Sequence, residues 1–196
     1  MWIDSLKALM PPHPGAGDIV DWGGVEDSWG AEFPRDYKEF VALYGEAGVD
    51  DYLSVLLPQP QTGEAHPPLR EMEIETRLAE RVWLEEKGEV APKIIVWGVD
   101  SSADLLCWRA TQDDADEWPV LVWNQDDAQW SDYPCGMVEF LVRIFRADFD
   151  ECPLGDLRLW GNASPKFLHR PEEQRLRAAG LDPWTGEPDP CAGMFA

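Results

Sequence analysis

The chain has 196 residues, and its 38 acidic and 16 basic side chains give a formal net charge of −22 at pH 7. A chain of this length buries roughly 70% of the surface that it exposes when unfolded, so its core can be stable without a metal or a disulfide. The negative charge repels a phosphate backbone, so we expect no binding of nucleic acid. It favours a basic protein as partner, although solubility alone would also explain the acidity.

Two further classes of protein are disfavoured. No apolar run approaches the roughly 20 residues that span a bilayer, and the first residues lack the pattern of a signal peptide, so we expect no membrane contact and a cytoplasmic location. The cysteines and histidines have no metal-binding spacing, so we expect neither a metal nor another cofactor. These residues are Cys107, Cys135, Cys152, Cys191, His13, His66 and His169.

The pattern of residues 1–21 predicts an N-terminal segment and linker. Trp2, Leu6 and Leu9 have the spacing of a helical turn. Residues 11–17 are mostly proline and glycine, which both oppose regular structure. We therefore expect this segment to connect more than it folds.

Two helices are predicted within residues 22–44. The first presents Trp22 and Trp29 at helical spacing. The second has Pro34 in its first turn, where a fixed φ and a missing N–H are tolerated, and Gly45 is its expected left-handed C-cap. The apolar face of the second helix has i, i+3, i+4, i+7 spacing and must be buried. It consists of Tyr37, Phe40, Val41 and Tyr44.

Residues 52–57 form a short apolar run with β-branched and aromatic side chains, which predicts a central or half-buried strand. Residues 59–68 have the composition of a loop, and residues 71–87 predict a charged helix. The expected buried face of that helix has an apolar residue at every fourth position. These residues are Ile74, Leu78 and Val82.

Four strands are predicted in the middle of the chain, the last of them an edge strand. They lie at residues 93–97, 105–108, 120–123 and about 130–133. A turn from Gly98 to Ala103 joins the first two strands. The hairpin loops on both sides of the third strand carry carboxylates, and no Lys or Arg occurs between Arg109 and Arg143. This single sign of charge favours a functional role for the loops.

Residues 137–145 are apolar on almost every face, which predicts a helix buried against the sheet. Residues 147–196 are interpreted as a C-terminal extension that contains one short helix at 171–179. We expect this extension to fold back onto the acidic body around Trp160 and Trp184. Its basic residues are Arg158, Lys166, Arg170, Arg175 and Arg177.

Several aromatic-anchored motifs follow one another between about residues 20 and 145. They are Trp22, Glu26, Phe33, Pro34, Asp36, Tyr37, Phe40, Tyr44 and Gly45, then 96–98, 104–108, 117–120, Trp130 with Tyr133, and 138–141. This order resembles the SUKH superfamily, the Smi/Knr-type (SMI1/KNR4-like) domain. One departure is Ala103 before Asp104, where the family often has glycine.

We therefore expect an α+β fold with a single SUKH-like domain at residues 22–146 and a C-terminal extension. A mostly antiparallel sheet is expected to pack against helices at 33–44, 71–87 and 137–145. The resemblance implies function by binding, because many bacterial members look like immunity proteins that neutralise a cognate secreted toxin, often a nuclease, by occluding its active site. The alternative that it implies is an intracellular regulatory scaffold, as in the fungal cell-wall-synthesis regulators.

A third interpretation is a carbohydrate-binding or glycosidase-like protein, because 11 tryptophans accompany many carboxylates. Glycosidase carboxylates need a fixed separation and opposed pKa values, whereas most carboxylates here lie in runs of like charge. The chain also lacks the common motifs of hydrolases and metalloenzymes. We therefore expect no enzyme and no catalytic residue.

The expected partner-binding site is an acidic face with aromatic anchors. Carboxylates would attract a basic toxin, and tryptophans, if exposed, would supply much of the binding energy. The candidate residues are Asp113, Asp114, Asp116, Glu117, Trp118, Asp126, Asp127 and Trp130.

Overall fold

A computed structural model of the chain describes residues 1–58 and 72–190. Over these residues, six α-helices pack around one antiparallel seven-stranded sheet, which confirms the α+β prediction. The helices are α1 (Trp2–Leu9), α2 (Trp22–Trp29), α3 (Arg35–Tyr44), α4 (Met72–Lys87), α5 (Met137–Arg146) and α6 (Arg170–Ala178). The strands are β1 (Ala47–Val49), β2 (Leu53–Val55), β3 (Ile94–Asp100), β4 (Leu105–Arg109), β5 (Val120–Asn124), β6 (Gln129–Tyr133) and β7 (Phe167–His169).

The strand order is β6-β5-β4-β3-β2-β1-β7, and every neighbouring pair is antiparallel. The prediction of an edge strand at residues 130–133 is confirmed, because β6 ends the sheet. The predicted loop 59–68 lies outside the described residues, as do Glu71, His66 and Cys191. No helix in the described part is long and apolar enough to cross a membrane.

The predicted faces of α2 and α3 are confirmed. All four residues of the α3 face are buried, and the hydroxyls of Tyr37 and Tyr44 donate to the carbonyls of Leu56 and Met10 at 2.6 and 2.7 Å. The family-motif residue Glu26 joins the two helices, because its Oε1 accepts the Phe33 N–H at 2.9 Å. This motif residue therefore connects α2 with the segment that leads into α3.

Gly45 ends α3 with a φ of +72° and a ψ of −158°, so its φ is positive but its conformation is not the predicted left-handed helical cap. A Cβ at this position would collide with the side chains of Asp18 and His169. His169 is buried, and its Nε2 lies 3.1 Å from Asp18 Oδ1. Close approach of two polar side chains, as well as backbone conformation, therefore requires glycine here.

The predicted buried face of α4 is correct in part, because Leu78 and Val82 are half-buried against the core. Ile74 is exposed, and the buried side of the helix includes Thr76, Ala79 and Trp83. The buried side of α4 packs on β3, where the Val96 N–H donates to the Thr76 hydroxyl at 3.0 Å. The predicted turn does not begin at residue 98, because β3 continues to residue 100.

The N-terminal segment is more than a linker. Ile3, Leu6 and Met10 are buried in the main core, where α1 packs against α5. The apolar residues at helical spacing therefore form a buried helix, although a proline-rich stretch follows them. The prediction that α5 is largely buried is confirmed, since seven of its residues are buried.

The C-terminal extension folds back onto the body, as predicted, but through strand pairing. Strand β7 pairs with β1 and adds the seventh strand to the sheet. Trp184 lies against the backbone of Gly48 in β1, and Trp160 stacks on Phe149 with ring centroids 6.5 Å apart. Three of its basic residues pair with glutamates of α6 itself, so charge attraction to the body is not the main contact. These pairs are Arg175–Glu172, Arg177–Glu173 and Arg170–Glu173.

Two buried aspartates lie at the β3–β4 turn, and one of them connects it with the C-terminal extension. Asp104 is fully buried, and its two carboxylate oxygens accept the N–H groups of Gln125 and Gly155 at 2.8 and 2.7 Å. Asp100 is buried beside it, and its Oδ1 accepts the N–H groups of Ser102 and Asp104 at 2.9 and 3.0 Å. Burial and the neighbouring Asp104 raise the pKa of Asp100 to about 7.

We expect Asp100→Asn to become more stable than the native chain as the pH rises. The pKa of Asp100 is raised above its ordinary 3.8 in the folded state, so its favourable contribution is complete below about pH 4 and is lost as the pH approaches 7. Asparagine does not ionise and keeps an oxygen acceptor. The measurement is the free energy of unfolding of both proteins from pH 4 to pH 8.

Burial also raises the pKa of Glu46 to about 7. Glu46 makes the same contribution to the pH dependence of stability in both proteins, so the difference between them isolates Asp100. A difference that does not change between pH 4 and pH 8 would contradict the assignment.

Candidate functional site

The six candidate carboxylates form two separate groups. Residues 110–119 precede β5 and residues 125–128 follow it, so the two acidic loops lie at opposite ends of that strand. A five-residue strand separates its ends by roughly 15 Å at about 3.3 Å per residue. The structure therefore brings Asp113, Asp114, Asp116 and Glu117 together and keeps Asp126 and Asp127 apart from them.

The two candidate tryptophans are not exposed anchors. Trp118 is 5% exposed, and its indole N–H donates to the Gln112 carbonyl at 2.9 Å. Trp130 is 7% exposed, with its ring centroid 5.4 Å from that of Trp83 and 5.3 Å from that of Trp123. The expectation of free aromatic rings between the acidic loops is corrected, because both rings are held in the core.

The first loop, residues 110–119, is ordered by its own carboxylates. Asp114 Oδ1 accepts the Asp116 N–H at 3.0 Å and caps a short 3₁₀ turn at Ala115–Glu117. Asp116 accepts the Arg35 N–H at 2.7 Å and forms an ion pair with the Arg35 guanidinium. Burial opposes ionisation of Asp116, but these hydrogen bonds hold its pKa below the ordinary value. Asp113 and Glu117 are exposed.

The second loop, residues 125–128, contacts the C-terminal extension. The carboxylate of Asp126 lies against Gly155, where an added Cβ would be 3.2 Å from Oδ2. The Asp127 N–H donates to Asn124 Oδ1 at 3.0 Å. This loop therefore lies at the end of the sheet where the Asp104 carboxylate accepts the Gly155 N–H of the extension.

A groove of about 440 Å³ lies beside the first loop. Its walls come from four parts of the chain: the start of α1, the start of α3, residues 115–118 and the start of α5. We call it the acidic groove, because four carboxylates line it. They are Asp36, Glu39, Asp116 and Glu139. Its apolar lining includes Trp2, which is 42% exposed, and Trp118.

Asp36 joins two of these walls. Its Oδ2 accepts the Val138 N–H at 3.0 Å and so caps the first turn of α5. Gly136 makes this approach possible, because a Cβ there would be 2.6 Å from the same oxygen. Burial raises the pKa of Asp36, and the charges of Asp116 and Glu39 add to this effect. Its Oδ1 is shielded from solvent and accepts no hydrogen bond of good geometry from the described residues.

A second groove, of about 660 Å³, lies along the outer side of α4. Its apolar residues Ile74, Leu84 and Val90 are all exposed. Arg77, Arg81 and Glu80 also line it, so its charge is mixed.

No group of three or more His, Cys, Asp or Glu side chains within residues 1–58 and 72–190 has an arrangement that could hold a metal ion. Of the described cysteines, Cys107 and Cys135 are buried and Cys152 is half-buried. Burial raises the pKa of the Cys135 thiol to about 12, which makes this thiol a poor nucleophile at neutral pH.

The family model SUKH_6, described as SMI1-KNR4 cell-wall, matches residues 21–141. The chain belongs to this family. The match extends from α2 into α5 and contains all eight candidate residues. Comparisons with curated proteins and with solved structures give no match.

Sequence reasoning found one of the groove's four carboxylates as a candidate, Asp116, and found Asp36 and Glu139 only within family motifs. Glu39 and Glu139 lie on helices about 100 residues apart in the chain, and Trp2 was assigned to a linker. Spacing along the chain does not bring such residues together. The capping contact between Asp36 and Val138 does, and it becomes visible only in three dimensions.

Proposed function

We propose that this SUKH protein is a non-enzymatic binding domain of the immunity type, which neutralises a cognate basic toxin by covering its active site. The supporting observation is the first acidic loop, whose Asp113, Asp114 and Glu117 are exposed. None of these three carboxylates forms an ion pair with another described residue. They remain available to a partner's cations.

A basic nuclease is a suitable partner for physical reasons. Its active site must attract phosphate and therefore carries positive potential, which an acidic loop complements. Complementary fields raise association rates above those of neutral pairs by several powers of ten at low salt. Occlusion of the active site needs no chemistry in the inhibitor.

Capture of the partner is the first experiment. The purified chain is immobilised at low salt, bound proteins are released by a salt step, and each basic protein recovered is assayed for toxicity with and without the chain. The proposal expects a toxin whose activity is abolished by stoichiometric chain. Recovery of a partner whose activity is unchanged by the chain would overturn it.

We expect neutralisation of the first loop to slow association with the captured toxin by about tenfold at low salt, because three charges that steer the encounter are removed. The variant is Asp113→Asn, Asp114→Asn, Glu117→Gln, and the matched control is Glu85→Gln, Glu86→Gln, Glu89→Gln. The control has the same net charge, and its changes lie at exposed residues near the end of α4. Equal slowing of both would assign the effect to net charge rather than to the loop.

A second candidate function is that of a regulatory scaffold. The term "cell-wall" in the description of the family favours it. In this case the captured partner is an intracellular protein without toxicity, and the chain alters its location or assembly. Binding that withstands the three charge changes in the first loop would favour this candidate over an immunity protein.

A further inference from the structure

We infer that the acidic groove binds one lysine or arginine side chain of the partner, with its aliphatic stem against the exposed ring of Trp2 and its cation among the carboxylates. This inference rests on the proposed function and extends it, because it names the group that the partner inserts. The acidic groove lies next to the first loop and shares Asp116 with it.

The dimensions and lining suit such a side chain. A volume of about 440 Å³ lies within the range of ligand sites, roughly 300–1,000 Å³. Long cationic side chains bury their methylene stems on apolar surface while the charged end stays at polar groups. Trp2, which is 42% exposed, offers that surface, and an indole face also attracts a cation, while the edge of the buried Trp118 lies at the base of the groove.

The charge of the groove selects a cation. Of its four carboxylates, Asp116 is paired with Arg35, and Glu139 lies 3.7 Å from Arg143. Asp36 and Glu39 form no ion pair with any cation of residues 1–58 or 72–190. The N-terminal ammonium group of Met1, which also lines the groove, lies 3.5 Å from Asp4. The groove therefore keeps negative charge after these pairs are formed.

The environment of Asp36 favours binding of a cation in the groove. Its carboxyl is partly buried, and burial and two neighbouring carboxylates raise its pKa. A bound ammonium or guanidinium group opposes both effects, because it stabilises the ionised form of a carboxyl nearby. The groove on α4 lacks this selectivity, since among the described residues Arg77 and Arg81 line it with one carboxylate, Glu80.

The test is an NMR titration of the full chain with N-acetyl-arginine methylamide and N-acetyl-lysine methylamide. The expected result is saturable shifts of the indole N–H signals of Trp2 and Trp118 at millimolar probe, with clearly weaker effects from the neutral citrulline and norleucine analogues. Equal shifts with the neutral analogues, or none at these indoles with any probe, would overturn the inference.

Two variants with matched controls locate the site. We expect Glu39→Gln to weaken cationic probe binding roughly two- to fivefold, as for loss of one exposed charge contact, and Glu85→Gln to leave it unchanged. Trp2→Ala should abolish saturation, whereas Leu84→Ala, at a similarly exposed apolar residue of α4, should not. Circular dichroism of each variant confirms that it is folded.

The outcome separates the inference from the proposed function. If the captured toxin binds Trp2→Ala and Glu39→Gln as tightly as the native chain, the groove is not used and the inference fails, while the immunity proposal stands. If the probes bind as expected and the captured partner is no toxin, the groove stands as a cation-binding site and the immunity proposal fails.

Discussion

Replacement of Trp108 by alanine lowers the free energy of unfolding by about 3–5 kcal/mol, the range for truncation of a large buried aromatic residue. Trp108 is 0% exposed and lies at the centre of the aromatic core. Its ring centroid is 4.9 Å from that of Tyr37, 6.0 Å from that of Phe33, 6.2 Å from that of Trp97 and 6.5 Å from that of Trp118. Alanine would leave a cavity between α3 and the sheet.

Phenylalanine at the same position is the informative control. The indole N–H of Trp108 is buried without a hydrogen-bond partner among the described residues, so Trp108→Phe loses volume but no hydrogen bond. We expect it to destabilise the fold by less than half as much as alanine. Urea denaturation measures both, with Trp2→Ala as the surface control. Equal losses for phenylalanine and alanine would contradict the central packing role of this ring.

The sequence predicted most of the helices and strands that surround Trp108. Their aromatic and aliphatic residues recur at helical spacing in α2 and α3 or form uninterrupted apolar runs in β3, β4 and β5, and each pattern is long enough to be specific. Strands β1 and β7 were missed because each has three residues and, unlike β2, neither lies within a longer apolar run. Both depend on tertiary pairing at the edge of the sheet.

The site was predictable only in part. Exposure of the acidic loops follows from their polar composition, and all six candidate carboxylates are exposed. Separation of the loops follows from hairpin geometry, since successive turns of an antiparallel meander lie at opposite ends of a strand. Burial of Trp118 and Trp130 could not be predicted, because both rings flank loops and only the packed partners Trp108 and Trp83 cover them.

The attachment of the C-terminal extension illustrates the same limit. Asp104 was recognised as a family-motif residue in a turn, and Ala103 before it adopts a φ of +66° without glycine. Nothing in the local sequence indicates that the Asp104 carboxylate reaches Gly155, 51 residues further along the chain. This contact connects the β3–β4 turn, the β5–β6 loop and the extension, so its loss should affect all three.

Asp104→Ala is therefore expected to lower the free energy of unfolding by about 2–5 kcal/mol, because two N–H donors, those of Gln125 and Gly155, lose their acceptor inside the protein. The measurement belongs at pH 5, below the pKa of about 7 at Asp100, so that relief of charge repulsion between the two aspartates does not offset the loss. Asp104→Asn keeps one good acceptor and should lose less.

Hydrogen exchange distinguishes a local effect from a global one. In Asp104→Ala the Gly155 amide should exchange at least tenfold faster than the measured loss of global stability alone would give, because local opening adds to global unfolding and 1.4 kcal/mol corresponds to a factor of about ten. The amides of α3, far from this contact in the chain, should change only as much as global stability does. Unchanged protection of Gly155 would mean that the buried leucines of the extension, Leu154 and Leu159, hold it to the body without the carboxylate.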